Sequence, residues 1–307
     1  MSDCADARWL IVNADDFGLS RSVNEGILHA FRHGIVRSAS LIATGRAFEH
    51  AVEFACSEPG LDIGVHLTAV DGRAALPLAE VSGLVNRRGR FPRTPLPTIA
   101  KLCVSRVANW HLEREFRAQI ERVLRYRVSI SHLDSHCHLH LLPWVFRMVV
   151  HLAEEYAIPW VRLPVLSAAD CRRVASWRGI QLLAAGWMAR ACVRQLATEG
   201  WSCRFPDHTL GIECSGYLDE QWLTRQIGNM PAGVNELLCH PGFEVPSLGR
   251  RYRRYPGMGY QRLREAQALT SPRIRQMIDE CRIGLSSFRE LVGVLHSHRD
   301  RAAVHTV

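Results

Sequence analysis

ISHLDSHCHLHLLP, residues 130–143, places His132, Asp134, His136, His138 and His140 within nine positions. All five share one parity, so an extended chain sets them on a single face. A row of imidazoles around a carboxylate is a poor apolar core and a good environment for a divalent metal. Its distant counterpart is the acidic pair Asp15-Asp16, in IVNADDFG at 11–18.

Outward from this stretch, strand-like and helix-like segments alternate. Residues 9–14 form a short apolar run. Ser22-Val23-Asn24-Glu25 reads as a capping box, with Val23, Ile27 and Phe31 at helical spacing and Gly34 as the stop. Strands are predicted at 36–43, 61–67, 129–135, 161–163, 236–239 and 283–285. Helices are predicted at 48–56, around Leu112, Phe116, Ile120 and Leu124, at 145–156, and over most of 167–198. Residues 71–97, rich in Pro, Gly and Arg, interrupt the alternation and read as a long loop or lid.

Repeated β-then-α units predict a parallel sheet whose site lies beyond the carboxyl ends of its strands. Asp15-Asp16, His66, Asp134-His136, Arg162 and His240 all fall at such ends. Five strands aiming polar groups at one place favour an α/β, (β/α) barrel-like fold over a doubly wound sheet, in a single domain over 1–307. No GxGxxG follows the first strand, which argues against a dinucleotide site.

The 47% hydrophobic and 22% charged composition is that of a globular protein. No apolar run reaches membrane-spanning length, and no secretory leader is evident. The ten cysteines are scattered without a CxxC pair. They read as reduced thiols in a cytoplasmic protein. The net charge of +8 comes mostly from arginine, with a run at Arg250-Arg251-Tyr252-Arg253-Arg254. Arginine interleaved with tyrosine admits an anionic-surface or nucleic-acid reading, and equally a solvated loop. That binding reading leaves the acidic and histidine clusters unexplained, so no nucleic acid is expected as partner.

Two adjacent acids at a strand end can divide their work, one holding a cation and one taking a proton. His66 in GVHLT reads alone as a hydrogen-bonded core histidine. Beside the 130–143 cluster it completes a two-imidazole, one-carboxylate metal set with open positions. Such a metal acidifies water and polarises a carbonyl. The 136/138/140 spacing supplies more imidazoles than one metal needs, so His138 and His140 read equally as pocket or structural residues. His240, in LLCHPGF, suits a general acid or a loop histidine. Arg162 suits a group that orients a carboxylate, binds a substrate oxygen or forms a structural salt bridge.

The motifs NADDFGLS with VNEGI, GIVRSASL, GVHLT, HLDSHCHLH with LLP, CHPGF and RLREAQALTSP run in order over nearly the whole chain. In them the chain resembles the YdjC-like carbohydrate deacetylases, the family of the chitooligosaccharide deacetylases. VDGRAALP and GLVNRRGRF look like members associated with hopanoid lipid biosynthesis. The resemblance implies a distorted TIM-barrel of the deacetylase type and hydrolysis of an N-acetyl group on an amino sugar, oligosaccharide or glycolipid. It implies Asp16, His66 and His136 as ligands of one divalent metal, Asp15 as general base, His240 as general acid, and His138 and Arg162 as substrate-pocket residues. Mg²⁺ is the metal the family implies; the donor set itself suits Zn²⁺ as well. Hydrolysis of another bond, a phosphoester or non-sugar amide, stays open, as does a homodimer.

Overall fold

Apolar runs at the head of each β-then-α unit become strands buried on both faces, as a parallel sheet requires. The computed structural model describes residues 7–163, 184, 186–189, 191, 192, 194, 201–243 and 261–294. Its strands are β1 (Arg8–Phe17), β2 (Ser38–Leu41), β3 (Asp62–Leu67), β4 (Ile130–Ser135), β5 (Trp160–Val161), β6 (His208–Leu210), β7 (Gly233–Cys239) and β8 (Gly284–Ser286). The helices in the first half are α1 (Arg21–His33), α2 (Phe48–Ser57), α3 (Leu78–Val81), α4 (Pro95–Val104), α5 (Arg106–Leu124) and α6 (Pro143–Glu155). Later come α7 (Glu220–Gly228), α8 (Arg262–Leu269) and α9 (Pro272–Glu280).

Every strand pairing is parallel, in the order β5-β4-β3-β2-β1-β7-β6. The sheet curls into a distorted barrel. A parallel bridge between Trp160 and Arg204 brings the β5 edge to the segment leading into β6. β7 runs along β1 from Arg8 to Ala14, so β8 and β2 share the other edge. β8 takes Trp9 to Ile11, and β2 takes Asn13 to Phe17. This wedge separates the fold from an evenly wound barrel. β6, only three residues long, gave no periodic signal in the sequence.

Alternation along β1 divides inside from outside. Leu10, Val12 and Ala14 join the large apolar layer beneath the helices. Ile11 instead packs with Trp160, Val234, Phe288 and Leu291 in a small apolar plug. Above it, on the same parity as Ile11, stand Asn13 and Asp15, both fully or almost fully buried. The His132 ring stacks on Phe288, with centroids 4.1 Å apart, so apolar plug passes directly into polar layer.

Two local expectations are corrected. Helix α1 is capped by Ser20, whose hydroxyl accepts from Val23 N, because the helix starts at Arg21; Ser22 lies inside it. Residues 71–97 are a packed strap, not a structureless loop. Phe91 N donates to Gly72 O and Ala74 N to Gly89 O, each at 3.1 Å. Val81, Leu84, Val85 and Phe91 are buried. The helices expected at 167–198 lie largely outside the described residues; the positions described between 184 and 194 are helical. The Arg250–Arg254 run lies wholly outside them.

Gly26 on α1 meets the loop that follows β7. A Cβ at Gly26 would sit 2.3 Å from Gly242 Cα, a clash of backbone on backbone. Gly26→Ala is expected to destabilise the protein by about 1–3 kcal/mol, as overpacking does. A lowered urea midpoint with an unchanged m-value is the expected reading; an unchanged midpoint would show that the loop yields freely.

Candidate active site

Two adjacent aspartates cannot both face the barrel interior on a regular strand. Here β1 carries an irregularity between Ala14 and Phe17, where three steps along β1 match two along β2. Asp16 takes a left-handed conformation, φ 69°, which aspartate tolerates better than most residues. The inserted residue turns both carboxylates inward. The strand continues to Phe17, so this bulge, rather than a chain turn at Gly18, is the device.

A second break aims His136. β4 ends at Ser135, and residues 136–141 form a tight 3-10 turn in which Cys137 and His138 have φ of 58° and 52°. The five same-parity residues therefore do not share one face, because the chain stops being extended after Ser135. His132 is an interior residue between Ser40 and Ser131, at 3.1 and 2.9 Å. His140 is structural: Nε2 donates to Arg162 O at 2.9 Å, and Nδ1 accepts from Ser135 Oγ at 2.6 Å. His138 is half-buried; its Nδ1 has no hydrogen-bond partner, and burial pushes its pKa down to about 4.

Asp16, His66 and His136 converge. His136 Nδ1 lies 3.3 Å from both Asp16 Oδ1 and His66 Nε2, and His66 Nε2 lies 3.9 Å from Asp16 Oδ1. Tetrahedral ligands on bonds of about 2.1 Å stand about 3.4 Å apart, so these three atoms can share one ion. Asp16 Oδ1 is buried without a hydrogen-bond partner, which an ion would satisfy. The other oxygen, Oδ2, is bound by Arg262. Burial works against the charge on Asp16, but Arg262, His136 and His240 together outweigh it and hold the carboxyl well below its usual range. Arg262 opens the RLREAQALTSP segment, and an arginine at the start of a helix carries no signal of its own for such a role.

Asp134 was not expected to orient another residue. Its Oδ1 accepts from His66 Nδ1 at 2.8 Å, leaving the Nε2 lone pair toward Asp16 and His136. A carboxylate behind an imidazole is the common way to fix a metal-binding tautomer. Burial opposes protonation of His66, but Asp134 and Asp15 outweigh it and raise its pKa. Asp15, His66 and Asp134 also cluster closely enough to form a second donor group. There, however, His66 Nδ1 is committed to Asp134 and both Asp15 oxygens are committed to Arg162.

Of the roles expected of Arg162, its contacts match the one that orients carboxylates. It is 0% exposed. Its two terminal nitrogens each donate to Asp15 at 2.8 Å, Nη1 also meets Asp134 Oδ2 at 2.6 Å, and Nε donates to Glu236 at 2.7 Å. With every nitrogen engaged, it orients carboxylates instead of reaching a substrate. Burial would raise the Asp15 pKa, but Arg162 overrides it and lowers it. His240 follows β7; its N–H donates to Glu265, and its Nδ1 lies 3.5 Å from Ser215 Oγ. Burial pushes its pKa down to about 3, so the ring is neutral at rest.

A parallel, distorted barrel that gathers an aspartate and two histidines beside an arginine-held carboxylate is the deacetylase type of α/β fold. The YdjC-like protein family model matches residues 9–280, and the chain belongs to that family. It is 34% identical over 287 residues to the carbohydrate deacetylase of Geobacillus stearothermophilus, covering 92% of this chain and 98% of the relative. It is 30% identical over 286 residues to the chitooligosaccharide deacetylase of Yersinia enterocolitica, covering 92% and 99%. A crystal structure of an Enterococcus faecalis V583 protein, provisionally described as a cellobiose-phosphate cleavage protein, superposes with a TM-score of 0.70. It is 27% identical in sequence, over 93% of this chain and 99% of that one.

The donor geometry sets a direct expectation. Calorimetric titration is expected to give one divalent ion per chain, and His136→Ala is expected to abolish the binding. Asp134→Asn weakens it about 10- to 100-fold through loss of the His66 orientation. Equal affinity in all three proteins would remove these residues from the site.

Proposed function

We propose that this YdjC-like protein is a metal-dependent carbohydrate deacetylase that hydrolyses the acetamide of an N-acetylated sugar, oligosaccharide or glycolipid, releasing acetate. The observation that carries the reading is the convergence of Asp16 Oδ1, His66 Nε2 and His136 Nδ1 beside Asp15. The deacetylase names of relatives spanning nearly the whole chain support it.

Asp16, His66 and His136 would hold the ion. A divalent ion there supplies Lewis acidity, making water acidic near neutral pH and polarising a carbonyl oxygen. Mg²⁺ is the metal that the sequence resemblance implies; one carboxylate with two imidazoles would accommodate Zn²⁺ equally.

The protein's own groups do the remaining work. Asp15 is ionised at neutral pH because Arg162 grips both oxygens. Its carboxylate is the acceptor for a proton from the attacking water. That grip fixes the carboxylate plane and removes any search for orientation during turnover. His240 is the donor to the departing amine. Since burial keeps the ring neutral, the proton it delivers is the one the water gives up to Asp15, passed on to the ring before the amine departs. The carboxylates of Asp15 and Asp16 favour that charged ring. Half-buried His138 lines the pocket beside the ion-binding group.

A second reading, cleavage of another bond in a phosphorylated sugar, is favoured only by the provisional description of the Enterococcus faecalis neighbour. The two separate in one assay. Metal-loaded protein is incubated with a panel of N-acetylated sugars, glycolipids and phosphorylated disaccharides, and acetate, phosphate and new reducing ends are measured together. Acetate release is expected. Phosphate or reducing ends without acetate would contradict it.

For the base, Asp15→Asn is expected to lower turnover about 10²- to 10⁴-fold. Metal content should be nearly unchanged, because Asp15 lies outside the ligand set. Near-normal turnover in this variant would overturn the assignment.

A further inference from the structure

Helix α4 of the strap shows solvent a side with no polar residue. Its exposed positions include Leu96, Pro97, Ala100, Cys103 and Val104, a repeat at helical spacing. Leu96 is 69% and Val104 86% exposed. The opposite side buries Thr98 and Leu102. Beyond Ser105, Val107 and Trp110 continue the apolar character on the first turns of α5, at 59% and 55% exposure. A helix packed on one side ordinarily carries charge on the other. Single exposed apolar residues need no explanation; a contiguous set does.

The same region holds most of the chain's excess charge. Residues 71–110 contain Arg73, Arg87, Arg88, Arg90, Arg93, Lys101 and Arg106 against Asp71 and Glu80, a net +5 of the chain's +8. Arg73, Arg87, Arg88, Arg93 and Arg106 are exposed, and Glu80 is taken up by Arg114. An apolar face beside arginines matches the pattern of a helix lying in a lipid interface. Trp110, with the Arg114 guanidinium 4.6 Å from its ring centroid, suits the membrane–water boundary.

Two further features fit this use. The strap is held ready-made: the buried Glu115 carboxylate accepts from Ala75 N and Leu76 N at 2.7 and 3.1 Å, so contact need not fold it. The strap also borders the site. It begins just after His66, and α4 packs against the 136–141 turn that carries His136 and His138.

We propose that this face docks the protein on an anionic lipid bilayer, with α4 lying in the interfacial plane. A second copy fits poorly, since a twofold contact sets the same patch against itself and brings like charges together. The proposal stands apart from the deacetylase reading and needs no catalytic residue.

Vesicle flotation of the full-length protein tests it, with bilayers of equal parts phosphatidylglycerol and phosphatidylcholine against phosphatidylcholine alone. The protein is expected to float with the anionic vesicles only, and less so as salt is raised. Arg87→Ser with Arg88→Ser is expected to weaken partitioning roughly 10- to 30-fold. Val104→Glu with Val107→Glu should abolish flotation while circular dichroism and the thermal midpoint hold. No flotation of the unaltered protein overturns the proposal, as does undiminished flotation of Val104→Glu/Val107→Glu. A dimer that this double variant dissolves, without flotation, assigns the face to a second copy and overturns it equally.

Discussion

One buried cation organises the catalytic end of this barrel. The Arg162 guanidinium, closed off from solvent, joins carboxylates from β1, β4 and β7: Asp15, Asp134 and Glu236. Burying a guanidinium is costly, and it is offset here only because each nitrogen meets a carboxylate oxygen. Removing one member would leave the others as uncompensated buried charges. Through Asp134 the same network sets the His66 tautomer, and through Asp15 it sets the ionisation and plane of the proposed base. Glu236 sits at the edge of this balance, with burial pushing its pKa up to about 7.

Arg262 plays the matching part on the other side. It holds Asp16 Oδ2 and lets Oδ1 point toward the two imidazoles. Three carboxylates, Asp15, Asp16 and Asp134, meet only two guanidiniums, and an ion held by Asp16, His66 and His136 would balance the charge that the arginines leave over. Beneath it, Ile11, Trp160, Val234, Phe288 and Leu291 close the barrel with apolar contacts. The polar layer thus sits in a largely buried socket, where fixed charges act at greater strength than in bulk water.

Much of this was legible in the residues. Strands placed at 61–67 and 129–135 agree with β3 and β4 to about a residue, because apolar residues alternate there at strand period: Leu61, Ile63, Val65 and Leu67 in one. Strand-end position singled out Asp15-Asp16, His66 and the 130–143 cluster; the family resemblance narrowed these to Asp16, His66 and His136, whose donor atoms lie within 3.9 Å of one another. The failures have physical causes. Parity arguments assume a continuous strand, and two left-handed residues, Cys137 and His138, end it where no glycine announces the turn. The roles of Asp134 and Arg262 are set by partners distant in sequence, which spacing alone does not reveal. The strap escaped recognition because its core residues, Val81, Leu84, Val85 and Phe91, follow no single period.

The account rests on three side chains from three parts of the chain sharing one ion. The most direct measurement is an anomalous-difference map from crystals grown with Zn²⁺ or Mn²⁺. It should show one peak within about 2.0–2.3 Å of Asp16 Oδ1, His66 Nε2 and His136 Nδ1. A peak on other donors, or none in metal-saturated crystals, would contradict it.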